Sequence, residues 1–139
     1  MNEETRGKKL TITMNKVITA EELSAVFKSS GIKRPVDDVA RLQRMIDNAD
    51  ILITAWDQEN LIGVARAITD FSYCCYLSDL AVHHQYQNMG IGKDLVQFLQ
   101  NQIGEEVALI LLSSPTAMGY YPQIGFDKIP NGFIIARKH

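Results

Sequence analysis

Apolar residues recur along this chain at three different spacings, and each spacing predicts a different element. Residues 10–14 read as a short strand. Thr19, Glu21 and Glu22 follow, and Thr19 with Glu22 three places on is a capping box, whose hydroxyl and carboxylate satisfy the free amides at a helix start. Leu23, Val26 and Phe27 form the buried stripe of that helix, and Gly31 stops it. Pro35 opens a second helix in which Val39, Leu42, Met45 and Ile46 recur at helical spacing until residues 48–50 end it.

Residues 51–56 and 61–68 are apolar, partly β-branched runs around the turn-forming Asp57, Gln58, Glu59 and Asn60, which predicts an antiparallel hairpin. A second turn at 70–72 leads into a strand at 73–82. From Ile91 the residues Leu95, Val96, Leu99 and Ile103 trace one helical face, with Gly104 as terminator. Residues 107–112 are continuously apolar, the pattern of a central strand covered on both faces. Strand, helix and strand at these lengths imply a parallel pair with a right-handed crossover. A short helix at 116–123 and a last hairpin of 126–129 with 133–136, turning at Pro130, Asn131 and Gly132, complete the expectation. The class is a mixed α/β sheet with flanking helices, one domain over 10–139 preceded by a loose tail at 1–9.

The chain has 139 residues, 46% hydrophobic and 22% charged, which suits one folded domain and excludes a wholly disordered or fibrous chain. A net charge of -2, with no long block of either sign, is a poor footprint for nucleic acid. The longest apolar run falls far short of the roughly 20 residues that span a bilayer, and the start of the chain is polar, so neither membrane insertion nor export is expected. Cys74 and Cys75 are adjacent, and neighbours on a strand point to opposite faces, so no disulfide framework or metal site is expected from them. A reducing cytoplasm is the simplest location.

Between the strand ending at Val82 and the helix starting near Ile91 lie Gln87, Asn88, Met89, Gly90, Ile91, Gly92 and Lys93, a Gln-x-x-Gly-x-Gly arrangement. Free amides at a helix N-terminus, backed by the helix dipole, bind an anion without net positive protein charge, and glycines let the main chain approach phosphate oxygens closely. Two other glycine loops fail here. A dinucleotide fingerprint needs glycine or alanine where Leu95 stands, and a Walker loop needs glycine at Gln87 and serine or threonine at Asp94.

The stretch from Leu80, Ala81 and Val82 through Gln87 to Gly92 resembles the acetyl-coenzyme A signature of the GNAT N-acetyltransferase superfamily. So does a second segment, in which Ala117, Tyr120, Tyr121, Gly125 and Phe126 stand at the spacing of that family's later motif. The resemblance covers about 51–126. Ser114 stands three before Ala117, where the family often has asparagine, and its shorter side chain still offers a donor.

The resemblance implies the acyl-CoA N-acyltransferase fold: a mostly antiparallel sheet whose strand through Leu80, Ala81 and Val82 splays from the parallel strand at 107–112. Pantetheine then lies in the gap as a surrogate strand. Its pyrophosphate reaches the amides of residues 87–93, with the Lys93 ammonium as an outer contact and Ser114 as a further cofactor contact. It implies acetyl-coenzyme A as co-substrate, no metal, a small-molecule amine as acceptor in preference to a protein amine, and a homodimer with the C-terminal strands as its candidate interface.

Attack by an amine in a ternary complex needs a neutral nucleophile, although an alkylamine with pKa about 10.4 is mostly protonated at neutral pH. A main-chain amide near Val82 is placed to stabilise the developing oxyanion. Tyr121 fits the acid that protonates the departing thiolate, since a phenol of pKa about 10 keeps its proton at pH 7; the competing reading makes it a packing aromatic, like Tyr120. Asp79, in an otherwise apolar strand, is the candidate base. Its structural alternative, a turn anchor or an ion pair with a neighbour such as Arg66, is preferred, with a water chain taking the amine proton. His83 and His84 lack a third spaced ligand, and Arg34, Arg41 and Arg44 read as a solvated face before they read as an acceptor's anion site. The rival from another class is a noncatalytic acyl-coenzyme A binding sensor that retains the pocket.

Overall fold

The computed structural model describes residues 9–14 and 16–139, so the tail expected at 1–9 lies, apart from Lys9, outside the described residues. Five strands form one sheet in the order β1-β2-β3-β4-β5: β1 (Leu10–Thr13), β2 (Ile51–Asp57), β3 (Asn60–Thr69), β4 (Cys74–Val82) and β5 (Ala108–Ile110). The first four pair antiparallel and β4 pairs parallel with β5, as the strand, helix, strand pattern requires. Among the described residues, α1 (Ala20–Ser30) and α2 (Val39–Asp47) lie between β1 and β2, α3 (Ile91–Ile103) links β4 to β5, and α4 (Tyr120–Gln123) follows β5.

The capping box forms as its residues dictate. Thr19 N donates to Glu22 Oε1 at 2.9 Å and Glu22 N donates to Thr19 Oγ1 at 3.0 Å, while Gly31 closes α1 in the left-handed conformation at φ 82°. Pro35 does not open α2. It lies in a turn where Asp38 N donates to Pro35 O, and the helix begins at Val39 because the Asp38 carboxylate, one step before it, accepts from Arg41 N at 3.0 Å.

Each face of the sheet carries its own core. On one side Ile12, Ile53, Ala65, Cys75 and Leu77 pack against Leu95, Phe98 and Leu99 of α3. On the other, Trp56, Val64 and Ala81 pack against Leu23, Val26 and Phe27 of α1. β4 serves both because a bulge interrupts it: Arg66 lies opposite Asp79 and Ala67 opposite Leu77, which leaves Ser78 as an extra residue. One extra residue reverses the alternation. Leu77 therefore faces α3, whereas Asp79 and Ala81 face the side of α1.

Two expectations for the end of the chain are corrected. β5 is not a doubly covered central strand: it has three residues, no described strand pairs with its far edge, and Ile110 is 42% exposed. Residues 126–136 form no hairpin. Their aromatic and β-branched residues favour extended backbone, but a ladder needs a partner edge, and here Phe133 is 99% and Ile135 100% exposed. The helix expected at 116–123 divides into a 3-10 turn (Pro115–Ala117) and α4.

Candidate functional site

The β4–β5 ladder stops at Tyr76 opposite Ile110, yet β4 continues to Val82. Beyond that point no ladder joins the Leu80, Ala81 and Val82 end of β4 to the segment after β5 that carries Ser114. Leu80 and Val82 lean on the α3 core and Ala81 on the α1 core. Ser114 is exposed and its Oγ lies 3.3 Å from Thr116 Oγ1.

This end of β4 leads into the glycine loop. After β4 comes a 3-10 turn (His84–Tyr86), and Gln87 Nε2 then reaches back to donate to Val82 O at 3.0 Å. Asn88 and Gly90 both adopt left-handed backbone, at φ 65° and 79°, so the chain turns sharply just before α3. α3 begins at once, and no side chain caps its N-terminus at Gly90. Among the described residues no side-chain cap hydrogen bond is made at this helix start, and Asp94 is the acidic residue of its first turn. Met89 packs against the α3 core and Ile91 is buried in it, so both act through their main chain, while Lys93 stands exposed in the first turn of α3.

Gly92 has a second role that spacing did not reveal. The hydroxyl of Tyr120 sits where a Cβ at Gly92 would project, so any other residue there requires Tyr120 to shift. Tyr120 is therefore a wall of the loop as well as a packing aromatic. Its signal in the sequence was only its place beside Tyr121. Burial pushes its phenol pKa up, and the charges of Tyr121 and Asp94 add to this.

Tyr121 is held edge-on between two rings, Tyr120 at 5.3 Å and Phe126 at 5.5 Å between centroids. Burial raises the pKa of its phenol above the ordinary value near 10, and the positive charge of Arg34 opposes part of that rise. The group is accordingly protonated at neutral pH.

Asp79 is an ion-pair hub. Its side chain is 0% exposed, Arg66 Nε donates to Oδ2 at 2.5 Å, and Arg34 Nε donates to Oδ1 at 2.5 Å. Arg34 Nη2 also donates to Ser78 O at 2.7 Å and Arg66 Nη2 to Ser78 Oγ at 2.9 Å. The pairing with Arg66 expected from sequence is present, and Arg34 is a second partner drawn inward from the α1–α2 connection. With both oxygens engaged by guanidinium groups, the geometry realises the structural alternative for Asp79. His83 Nδ1 accepts from Gln85 N at 3.1 Å, a capping contact. Among the described residues, no three His, Cys, Asp or Glu side chains gather as a metal site.

A family model described as an acetyltransferase (GNAT) domain matches residues 9–134. Among curated relatives, the uncharacterized N-acetyltransferase ycf52 of Pyropia yezoensis is 30% identical over 132 residues, covering 90% of this chain and 74% of its own length. The GCN5-related N-acetyltransferase 2, chloroplastic, of Arabidopsis thaliana is 32% identical over 117 residues, 80% of this chain but 44% of that protein. Among solved structures, a probable acetyltransferase from meticillin-resistant Staphylococcus aureus superposes with TM-score 0.79 at 23% identity, covering 94% of this chain and 99% of that one. A putative acetyltransferase from Deinococcus radiodurans R1 gives TM-score 0.76 at 17% identity, covering 99% and 94%. Identities this low show a shared fold.

Proposed function

The chain belongs to the GNAT acetyltransferase family, and from that premise we propose that it transfers the acetyl group of acetyl-coenzyme A to a primary amine of a small molecule by direct attack in a ternary complex. The observation that carries this reading is the continuity of two features: a ladder that ends at Tyr76 and Ile110, and an uncapped helix start immediately beyond. Acetyl-coenzyme A has a pantetheine arm with strand-like amides and a diphosphate, and the two features suit these in that order. When bound, it supplies an activated acyl group on a good leaving thiolate.

The chain's own residues then have separate tasks. Amides of residues 87–92 hold the diphosphate, with Lys93 outside them. Free main-chain groups of Leu80, Ala81 and Val82 align the arm, Ser114 borders it, and an amide near Val82 faces the developing oxyanion. Tyr121 donates its proton to the leaving thiolate. Asp79, tied to Arg34 and Arg66, keeps the bulge in place, and water takes the proton of the attacking amine. No polymer-shaped charged groove is evident in the sequence, which favours a small acceptor.

A cytoplasmic setting fits Cys74 and Cys75, both free thiols, and no helix of the described residues is long and apolar enough to cross a membrane. A homodimer accords with the exposed Phe133 and Ile135 and with β5, which among the described residues is an edge strand.

The decisive experiment assays a panel of amines for thiol release from acetyl-coenzyme A. Release with at least one small amine is expected. Silence across the panel, together with tight cofactor binding, would replace the enzyme by the noncatalytic sensor.

A further inference from the structure

The loop proposed to hold the diphosphate is tied to the rest of the protein by a contact that the mechanism does not use. Tyr86, the last residue of the 3-10 turn, donates its hydroxyl to Asp57 Oδ2 at 2.5 Å across 29 positions of sequence. Asp57 ends β2 and pairs with Asn60, so it sits at the tip of the β2–β3 hairpin. We propose that this hydrogen bond is a positioning device for the anion cradle, and that Tyr86 and Asp57 are positioning residues for cofactor affinity.

The same hairpin holds the other end of the cradle. Gly63 of β3 has no side chain, and a Cβ there would stand 3.3 Å from Leu95 Cδ1 and 3.4 Å from Ile91 Cγ2. The first turn of α3 is therefore seated directly on β3. With Tyr86 fixed to Asp57 and Ile91 fixed over Gly63, residues 87–90 span two points of one rigid hairpin. An anion site made of amides depends on their mutual aim, because each contributes only a fraction of a charge.

Other ties hold only the entrance of the loop. His83 N donates to Ile62 O at 2.7 Å, His84 N to Ser29 Oγ at 2.9 Å, and Gln87 Nε2 to Val82 O. Tyr86 is the side chain that links the loop to the hairpin tip, with the His83 ring edge-on to it at 5.7 Å. Its bond to a carboxylate is of the short, charge-assisted kind. That bond is also the main reason its phenol keeps its proton more firmly than usual, so the donor persists over the neutral range.

This inference rests on the proposed cofactor reading, and calorimetric titration of the full chain separates the two. The probes are coenzyme A, ADP for the diphosphate end and free pantetheine for the arm. Tyr86→Phe is expected to weaken coenzyme A and ADP by about tenfold or more, the effect of one charge-assisted hydrogen bond, and to leave pantetheine unchanged. Asp57→Asn keeps an oxygen acceptor and is expected to lose less than Asp57→Ala. Equal binding of ADP by wild type and Tyr86→Phe overturns the inference alone, as does an equal loss for all three probes, which marks general loosening. Wild type that binds no coenzyme A overturns the cofactor reading and this inference with it.

Discussion

The phenolic oxygen of Tyr120 occupies the space above Gly92 that any other residue's Cβ would claim, so the α4 end of the chain and the first turn of α3 are fitted to one another. Two segments nearly thirty residues apart thereby close one side of the same cradle.

Gly92→Ala is expected to push Tyr120 aside and distort the amides beside it, at about 1–3 kcal/mol of overpacking. Coenzyme A affinity should fall at least tenfold, and Tyr120→Phe in the same chain should restore part of it by removing the clashing oxygen. An alanine variant that binds as wild type does would show that the ring has room to move and that the fit is loose. Binding titrations on the two single variants and the double variant decide it.

Tyr121→Phe should lower turnover by roughly 10²- to 10⁴-fold, the usual range for a general acid, while coenzyme A affinity changes little. Steady-state kinetics beside a binding titration separate the two quantities. Unchanged turnover reduces Tyr121 to a packing ring between Tyr120 and Phe126.

The pH profile follows from the sign of the Tyr121 shift. Burial raises its pKa, so the acid stays protonated through the neutral range and is lost only above the ordinary phenol value of about 10. The attacking amine must lose a proton, so the rate climbs with pH on the acid side. Turnover measured from pH 6 to 11 should rise and then fall late. A decline beginning near pH 8 would point to a different acid.

Asp79→Asn is expected to act chiefly on stability. It leaves the Arg66 guanidinium, 10% exposed, and that of Arg34, 28% exposed, without their carboxylate. Breaking a buried pair costs about 3–5 kcal/mol, and the partial exposure of Arg34 places the loss toward the lower end. Urea unfolding measures it. Full stability with turnover abolished would return Asp79 to the role of base.

Replacing Phe133 and Ile135 together by serine should shift a dimer toward monomer in sedimentation velocity without altering the unfolding midpoint of the monomer, since neither side chain is buried in the single chain. A wild-type chain that sediments as a monomer at high concentration removes the dimer.

The elements with strictly local causes were legible from residues alone. Thr19 and Glu22 make a capping box through groups three positions apart, and Leu95, Val96 and Leu99 face inward through helical periodicity. The glycine loop was legible for the same reason, because the backbone geometry of Gly90 and the free amides after it are properties of a few consecutive residues. Pro35 misled because it is permitted at a helix start, while the carboxylate that actually accepts an amide belongs to Asp38.

By itself the sequence determined α1 and α3, the hairpin of β2 with β3, the parallel crossover and the glycine turn that opens α3, since all of these follow from periodicity and from chemistry within a few residues. Only the tertiary structure decided which side Asp79 faces, that Arg34 joins Arg66 on it, that Tyr120 stands over Gly92 and that Tyr86 finds Asp57. A single extra residue at Ser78 reverses every side chain after it. Contacts between segments dozens of positions apart exist only once the sheet has brought them together.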